Sequence, residues 1–248
     1  MSVSDPPAKL FLLGAPRVRI DGKTVSLPTQ KAEALLAFLA VHETRHSRER
    51  LATLLWGNVS DKRARSSLRN ALYILRDYIG EDIFLLERNY AAIKPNTFWV
   101  DFRHLEQTVS APYADVEGLK EALALWRAPF LDGVSFSDLP SFDEWLSRER
   151  ERSHLFYCAG WLRISKLLVM EGKYPQALEA ARHLVSLDPF SEPAHRHLMR
   201  LHLISGDRVA ALKIFDDLRS LNREGFLTTH PAPLCLGDDV VFHGAETP

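Results

Sequence analysis

The sequence has little cysteine and no long apolar run. Only Cys158 and Cys235 occur among 248 residues, so a disulfide framework is excluded and a reducing compartment fits. No apolar stretch approaches the roughly 20 residues needed to cross a bilayer. Met1 to Pro7 lacks the basic stretch and apolar core of a secretory signal. These absences predict a cytoplasmic protein with no membrane partner. Glycine is scattered rather than gathered into a loop that could cradle phosphate. Neither a nucleophile elbow nor a metalloprotease helix motif is present. No enzyme and no cofactor are therefore expected.

What is present is an ordinary globular mixture, 46% hydrophobic and 25% charged. At about 100–150 residues per domain, this length predicts two domains. The net charge of −1 conceals an uneven distribution. Residues 1–100 hold 15 Lys and Arg against 10 Asp and Glu, whereas the remainder is acidic by six charges. A basic half joined to an acidic half suggests different partners for the two.

Local patterns organise the basic half. Lys9–Leu13 and Arg17–Ile20 read as strands, and the second alternates polar with apolar residues. Asp21-Gly22 is a two-residue hairpin turn, with Lys23–Leu27 as the return strand. A helix is expected over about 29–42, capped by Thr29, with Ala32, Leu35, Leu36, Leu39 and Ala40 on its apolar face. Ser47 caps a second helix over Arg48–Trp56, with Leu51, Leu54 and Leu55 facing inward. A third runs from Asp61 to Ile79 and stops at Gly80. Ile83–Glu87 and Tyr90–Lys94 flank the short turn Arg88-Asn89 and read as a second hairpin. Hairpin, three helices, hairpin is the order of a winged helix-turn-helix.

The third helix carries the chemistry. Ala64, Leu68, Ala71, Leu75 and Ile79 form one apolar stripe, with Leu72 at its edge. Lys62, Ser66, Arg69, Asn70, Tyr73 and Arg76 lie opposite, flanked by Arg63 and Arg65. A basic amphipathic helix alone reads as solvated surface, but this one follows a two-helix lead-in and precedes a hairpin. That order predicts a helix laid in the major groove of DNA. Arg69, Asn70 and Tyr73 are the candidates for base contact, and Lys62, Arg63 and Arg76 for phosphate. Ser66 is a further candidate for phosphate, and Arg88 and Asn89 at the hairpin tip would reach the backbone or minor groove.

The acidic half reads as helical. Short helices are expected over 101–109 and 115–127, a Pro, Gly, Ser and Asp-rich loop over 128–140, and helices from Ser141 to about Asn222. Gly172 and Gly206 lie 34 residues apart, as do Ala177 and Ala211, Leu178 and Leu212, and Leu184 and Leu218. A 34-residue period with glycine at the helix turn is the tetratricopeptide (TPR) pattern. The fold class expected is an α+β winged helix-turn-helix followed by an all-α TPR-like helical repeat. The domains are residues 1–98, residues 99–227 and an irregular tail at 228–248.

The winged-helix half resembles the SARP family, the Streptomyces antibiotic regulatory proteins and their relatives, in its OmpR-type DNA-binding domain. Leu12-Leu13-Gly14, Asp21-Gly22, Ala34–Ala40, Leu54-Leu55-Trp56 and Leu68-Arg69-Asn70-Ala71-Leu72 carry the likeness. The second half is similar to that family's bacterial transcriptional activation domain through Leu125-Trp126-Arg127, Pro129–Gly133, Trp145-Leu146, Leu187-Asp188-Pro189 and Ala210-Ala211-Leu212. The sequence departs from the pattern at Asn222–Phe226, where the family usually has a Glu-Leu-Gly turn. The resemblance implies transcriptional control, often activation, with promoter DNA and RNA polymerase as partners and a second copy of the chain as a further one. The alternative is a TPR-based protein-interaction module in which the winged helix is structural.

Three other constellations are weaker. His195, His197 and His202 invite a metal reading, but the first and last share a helix face and occupy packing positions, so no metal is expected. His42 and His46 lie near a helix end, where capping or interaction with the helix dipole is their expected role. Trp126, Trp145 and Trp161 read as buried packing between helices.

Overall fold

The structure, a computed structural model, describes residues 8–223. The tail expected at 228–248 lies outside the described residues. Contacts divide the chain into two compact units, Met1–Tyr157 and Cys158–Pro248.

In the first unit, β1 (Ala8–Phe11), β2 (Arg17–Ile20) and β3 (Lys23–Val25) form an antiparallel meander. Asp21 and Gly22 take φ of 48° and 78°, the left-handed pair a two-residue hairpin turn requires. A fourth strand, β7 (Phe98–Val100), pairs in parallel with β1 through Leu10↔Val100, giving the order β3-β2-β1-β7.

Three helices follow the meander. Thr29 and Ser47 accept the N–H groups of Ala32 and Arg50, each at 3.2 Å, and so start α1 (Gln30–Val41) and α2 (Arg48–Trp56). Every residue of α1 from Ala34 to Ala40 is buried. This helix therefore lies inside the unit rather than on its surface, beyond the single apolar face read from its spacing. In α3 (Asp61–Ile79), Ala64, Leu68, Ala71, Leu72, Leu75 and Ile79 are all buried, and the helix packs on α1 and α2. Each buried leucine there contributes about 1.5–3 kcal/mol. The wing is β5 (Phe84–Leu86) and β6 (Tyr90–Ile93), joined by a third strand, β4 (His46–Ser47), in the order β4-β6-β5.

The remainder of this unit closes around the start of the chain. Asp101 opens α4 (Asp101–Ser110) and is fully buried. Its carboxylate accepts the N–H groups of Leu12 at 2.7 Å, Leu13 at 3.0 Å and Phe102 at 2.7 Å. Burial pushes the carboxyl up to about 6, against the pull of these donors and of the Arg127 guanidinium. The next helix, α5 (Val116–Leu123), is shorter than the 115–127 expected. After it the chain is drawn away: the N–H groups of Arg127, Leu131 and Asp132 donate to the carbonyls of Leu13, Leu12 and Gly14. α6 (Pro140–Met170) begins here, and its Arg150 donates to the carbonyls of Phe130, Leu131 and Val134. The residue 128–140 loop is thereby fixed from both sides.

The second unit contains the end of α6, then α7 (Tyr174–Leu187), α8 (Glu192–Ile204) and α9 (Arg208–Arg223). Gly172 and Gly206 turn the chain with φ of 73° and 80°, which glycine adopts without strain. Ala177, Ala211, Leu184 and Leu218 are buried at the 34-residue spacing. The fold is thus a winged helix-turn-helix followed by TPR-like helical repeats. The histidines of α8 are spent within this unit. His195 meets the Ser191 carbonyl at 2.9 Å, His202 faces Asp207 at 3.4 Å, and His197 meets the Ser165 hydroxyl at 2.9 Å. Among the described residues no His, Cys, Asp and Glu group is arranged to hold a metal. Trp145 is buried as expected, whereas Trp126 and Trp161 are half-buried; Trp126 stacks on Tyr157 at 4.5 Å.

His42 does cap α1, but its main partner is distant in sequence. The Trp145 indole N–H donates to its Nε2 at 2.8 Å, and Phe38 and His46 pack around it. Burial first, then His46, Arg152, Arg50 and Arg148, hold His42 down at about 4 despite Glu149 at 4.0 Å. The folded state therefore keeps His42 neutral while the unfolded chain protonates it near 6.5. This contribution to stability is complete above pH 6.5 and is lost as pH falls toward 4. Urea melts of wild type against His42→Gln, which keeps an acceptor for Trp145, should show a difference in pH slope confined to that window. Asp101→Ala should lower stability by about 3 kcal/mol, because buried N–H groups lose their acceptor; the same melts measure it.

Candidate nucleic-acid interface

The buried stripe of α3 fixes what its other side offers. Lys62, Arg63, Ser66, Arg69, Asn70 and Tyr73 are all exposed, and Tyr73 is 64% accessible despite its ring. Over 19 residues α3 is roughly 28 Å long, enough to present these side chains along several base pairs. Asp61 and Asp77 close this face at its two ends. Arg76 is different. It is half-buried in the last turn and forms an ion pair with Glu81, just beyond the helix.

The wing is tied to the start of α2. Glu87 N–H donates to the Tyr90 carbonyl at 2.9 Å, leaving Arg88 and Asn89 as the exposed tip. The Asn89 carbonyl accepts the Arg48 N–H at 2.8 Å, and β4 pairs Ser47 with Tyr90. Since Ser47 also caps α2, one short strand holds both the wing and the start of that helix. Arg45 pairs with Glu87 at 3.1 Å on the outer side of the wing.

Between α3, the start of α2 and the wing tip lies a cleft of about 550 Å³. Arg48, Arg65, Arg69 and Arg88 line it, opposed by Glu49 alone among charged groups. The structure therefore brings Arg69, Arg88 and Asn89 to one site and places Lys62, Ser66, Asn70 and Tyr73 on the adjoining open face of α3. Arg48 and Arg65 are the members that sequence reasoning did not name as site residues. Arg65 had a visible signal, its one-turn spacing from Arg69. Arg48 had none, because only the non-local pairing of β4 with β6 brings it to the wing. Four guanidiniums around a solvent-filled cleft can bind phosphate oxygens through charge-assisted, often paired hydrogen bonds.

The model of the bacterial transcriptional activator domain family matches residues 102–233. Among solved structures, Mycobacterium tuberculosis EmbR in complex with a low-affinity phosphopeptide is similar in fold, with a TM-score of 0.70 at 20% sequence identity. That likeness covers 92% of this chain and 63% of the EmbR chain, so this chain spans less than two thirds of that length. No curated protein matches the sequence. Among the described residues no helix is long and apolar enough to cross a membrane.

The cleft has a direct test that needs no specific ligand. Arg65→Ala and Arg88→Ala should each elute from a polyanion column at lower salt than wild type, and Glu49→Gln at higher salt. Melting temperatures should stay unchanged, because all three side chains are exposed.

Proposed function

Because the chain belongs to the bacterial transcriptional activator domain family, the family to which its SARP-type resemblance points, we propose that it is a sequence-specific DNA-binding regulator of transcription that acts as an activator. The observation that carries this reading is the continuous cationic and polar surface formed by the exposed face of α3, the cleft and the wing tip. α3 enters the major groove. Arg69 donates to base edges, Asn70 both donates and accepts there, and Tyr73 meets a thymine methyl or a phosphate. Lys62, Arg63 and Ser66 anchor the backbone along the open face. Arg88 and Asn89, with Arg48 and Arg65, hold the phosphates that pass between helix and wing. Arg76 contributes as a phosphate anchor once its pair with Glu81 exchanges for the stronger charge of DNA.

In this reading residues 1–98 read the promoter and residues 99–227 contact a protein partner, RNA polymerase above all. The acidic balance of the sequence beyond residue 100 supports that division, since it would repel DNA and suits a basic protein surface. A protein confined to this work needs no membrane contact and fits the cytoplasm.

Gel-shift titrations of promoter fragments at several salt concentrations test the proposal. Affinity should fall linearly in log–log form with salt. Removal of a phosphate anchor, as in Lys62→Ala or Arg65→Ala, should weaken all sequences alike and lower the slope by about 1. Arg69→Ala with Arg76→Ala should abolish the preference for specific fragments. Wild type that binds no better than this double variant would leave a protein-interaction module as the function.

A further inference from the structure

The four-stranded sheet carries a second cationic surface, apart from α3 and the wing. The register decides which residues share it. Lys9 stands opposite both Arg19 and Trp99, Phe11 opposite Arg17, and Arg19 opposite Thr24. Directly paired residues lie on the same face of a sheet. The alternate positions Ala8, Leu10, Val18, Phe98 and Val100 are buried, on the side where α4 packs on β1 and β7. On the outer face one row across the strands therefore reads Thr24, Arg19, Lys9, Trp99, and the next reads Arg17, Phe11.

This face works against the stability of its own sheet. Lys9 and Arg19 are like charges placed directly opposite, which destabilises strand pairing, and Arg17 stands diagonal to Lys9. None of the four strands contains an acid. Arg17 and Arg19 are exposed, and neither is paired with an acid among the described residues. Residues 1–7 include a single acid, Asp5. The cations lie against rings instead: Lys9 over Trp99 at 5.7 Å, and Arg19 and Arg127 over Phe11 at 5.7 and 6.0 Å. Phe11 and Trp99 themselves meet edge to face at 5.4 Å. A ring supports a guanidinium by its plane and leaves the N–H edge to a further partner. Arg17 and Arg19, two residues apart on one strand, are separated by roughly 7 Å. That is also the spacing of alternate side chains in any extended segment.

We propose that this face binds an extended acidic segment of another protein, with carboxylates at alternate positions meeting Arg17 and Arg19. Such carboxylates supply the charge the sheet lacks, through the paired hydrogen bonds a guanidinium edge offers. Single-stranded nucleic acid suits the face less, because bases stack on open rings and here cations already occupy the ring faces. Since no residue of α3 or the wing takes part, the proposal stands or falls separately from DNA binding.

Fluorescence anisotropy on the full chain tests it, with a labelled peptide of alternating aspartate and serine as the probe. Wild type should bind this peptide. Arg17→Glu combined with Arg19→Glu should weaken binding on the order of 10-fold and should instead bind a peptide of alternating lysine and serine. Arg17→Gln combined with Arg19→Gln, which removes both charges without reversing them, should fall between. Melting temperatures should not drop, because both side chains are exposed. Arg65→Ala combined with Arg88→Ala, in the DNA cleft, should leave peptide binding unchanged, and the sheet variants should shift promoter DNA as wild type does. Peptide binding that survives the reversal at Arg17 and Arg19, or that is lost with the cleft pair, overturns the proposal. So do three outcomes that give the face another occupant: tighter binding of an oligothymidine of equal charge, loss of promoter affinity in the sheet variants, or a dimer in sedimentation that the reversal dissolves.

Discussion

The carboxylate of Asp101 sits where three segments that are far apart in sequence meet. It takes the amides of Leu12 and Leu13 at the end of β1 and the amide of Phe102 at the start of its own helix. The same stretch of chain, residues 12–14, is bound from its other side by the backbone of residues 127–132. A buried charge is tolerated only when its hydrogen bonds are made in full, so this one fixes the path of each segment that serves it. The parallel pairing of β1 with β7, the early end of α5 and the closure of the residue 128–140 loop by Arg150 are all consistent with that single anchoring point.

The interface shows a similar economy at smaller scale. β4 has only two residues, yet Ser47 within it caps α2 and pairs with Tyr90 beside the wing tip. The hydrogen bond from Arg48 N–H to the Asn89 carbonyl adds to this link. The cationic groups of the cleft therefore come from a helix interior, a helix start and a hairpin tip that cannot drift far apart. Preorganised donors lose less on meeting an anion than mobile ones do, which is the physical value of building the cleft this way.

What was legible in the sequence is what local rules control. The caps at Thr29 and Ser47, the Asp21-Gly22 turn, the span of α3 and its buried stripe all follow from neighbours within a turn or two. The two glycines of the repeat likewise mark their own turns. Long-range pairings were not legible. β7 and β4 are too short to show alternation, and they become strands only because β1 and β6 offer them partners. Asp101 looked like an ordinary helix start, and nothing near it announces amides 88 and 89 residues away. His42 was placed near a helix end from local spacing, but its hydrogen-bond donor Trp145 lies 103 residues on, and burial above all holds its pKa down. In the interface the open face of α3 was readable from periodicity, whereas Arg48 depended on tertiary structure alone.

The position of Asp101 also bears on how such proteins can be cut and recombined. By secondary structure the winged helix ends with β7, and a fragment stopping there would seem whole. It would lack the acceptor for two buried amides, the aromatic ring of Phe130 and the strap that holds residues 12–14. As a unit of exchange between proteins, this winged helix therefore reaches into α6. Grafting it elsewhere means carrying the first helices of its neighbour along.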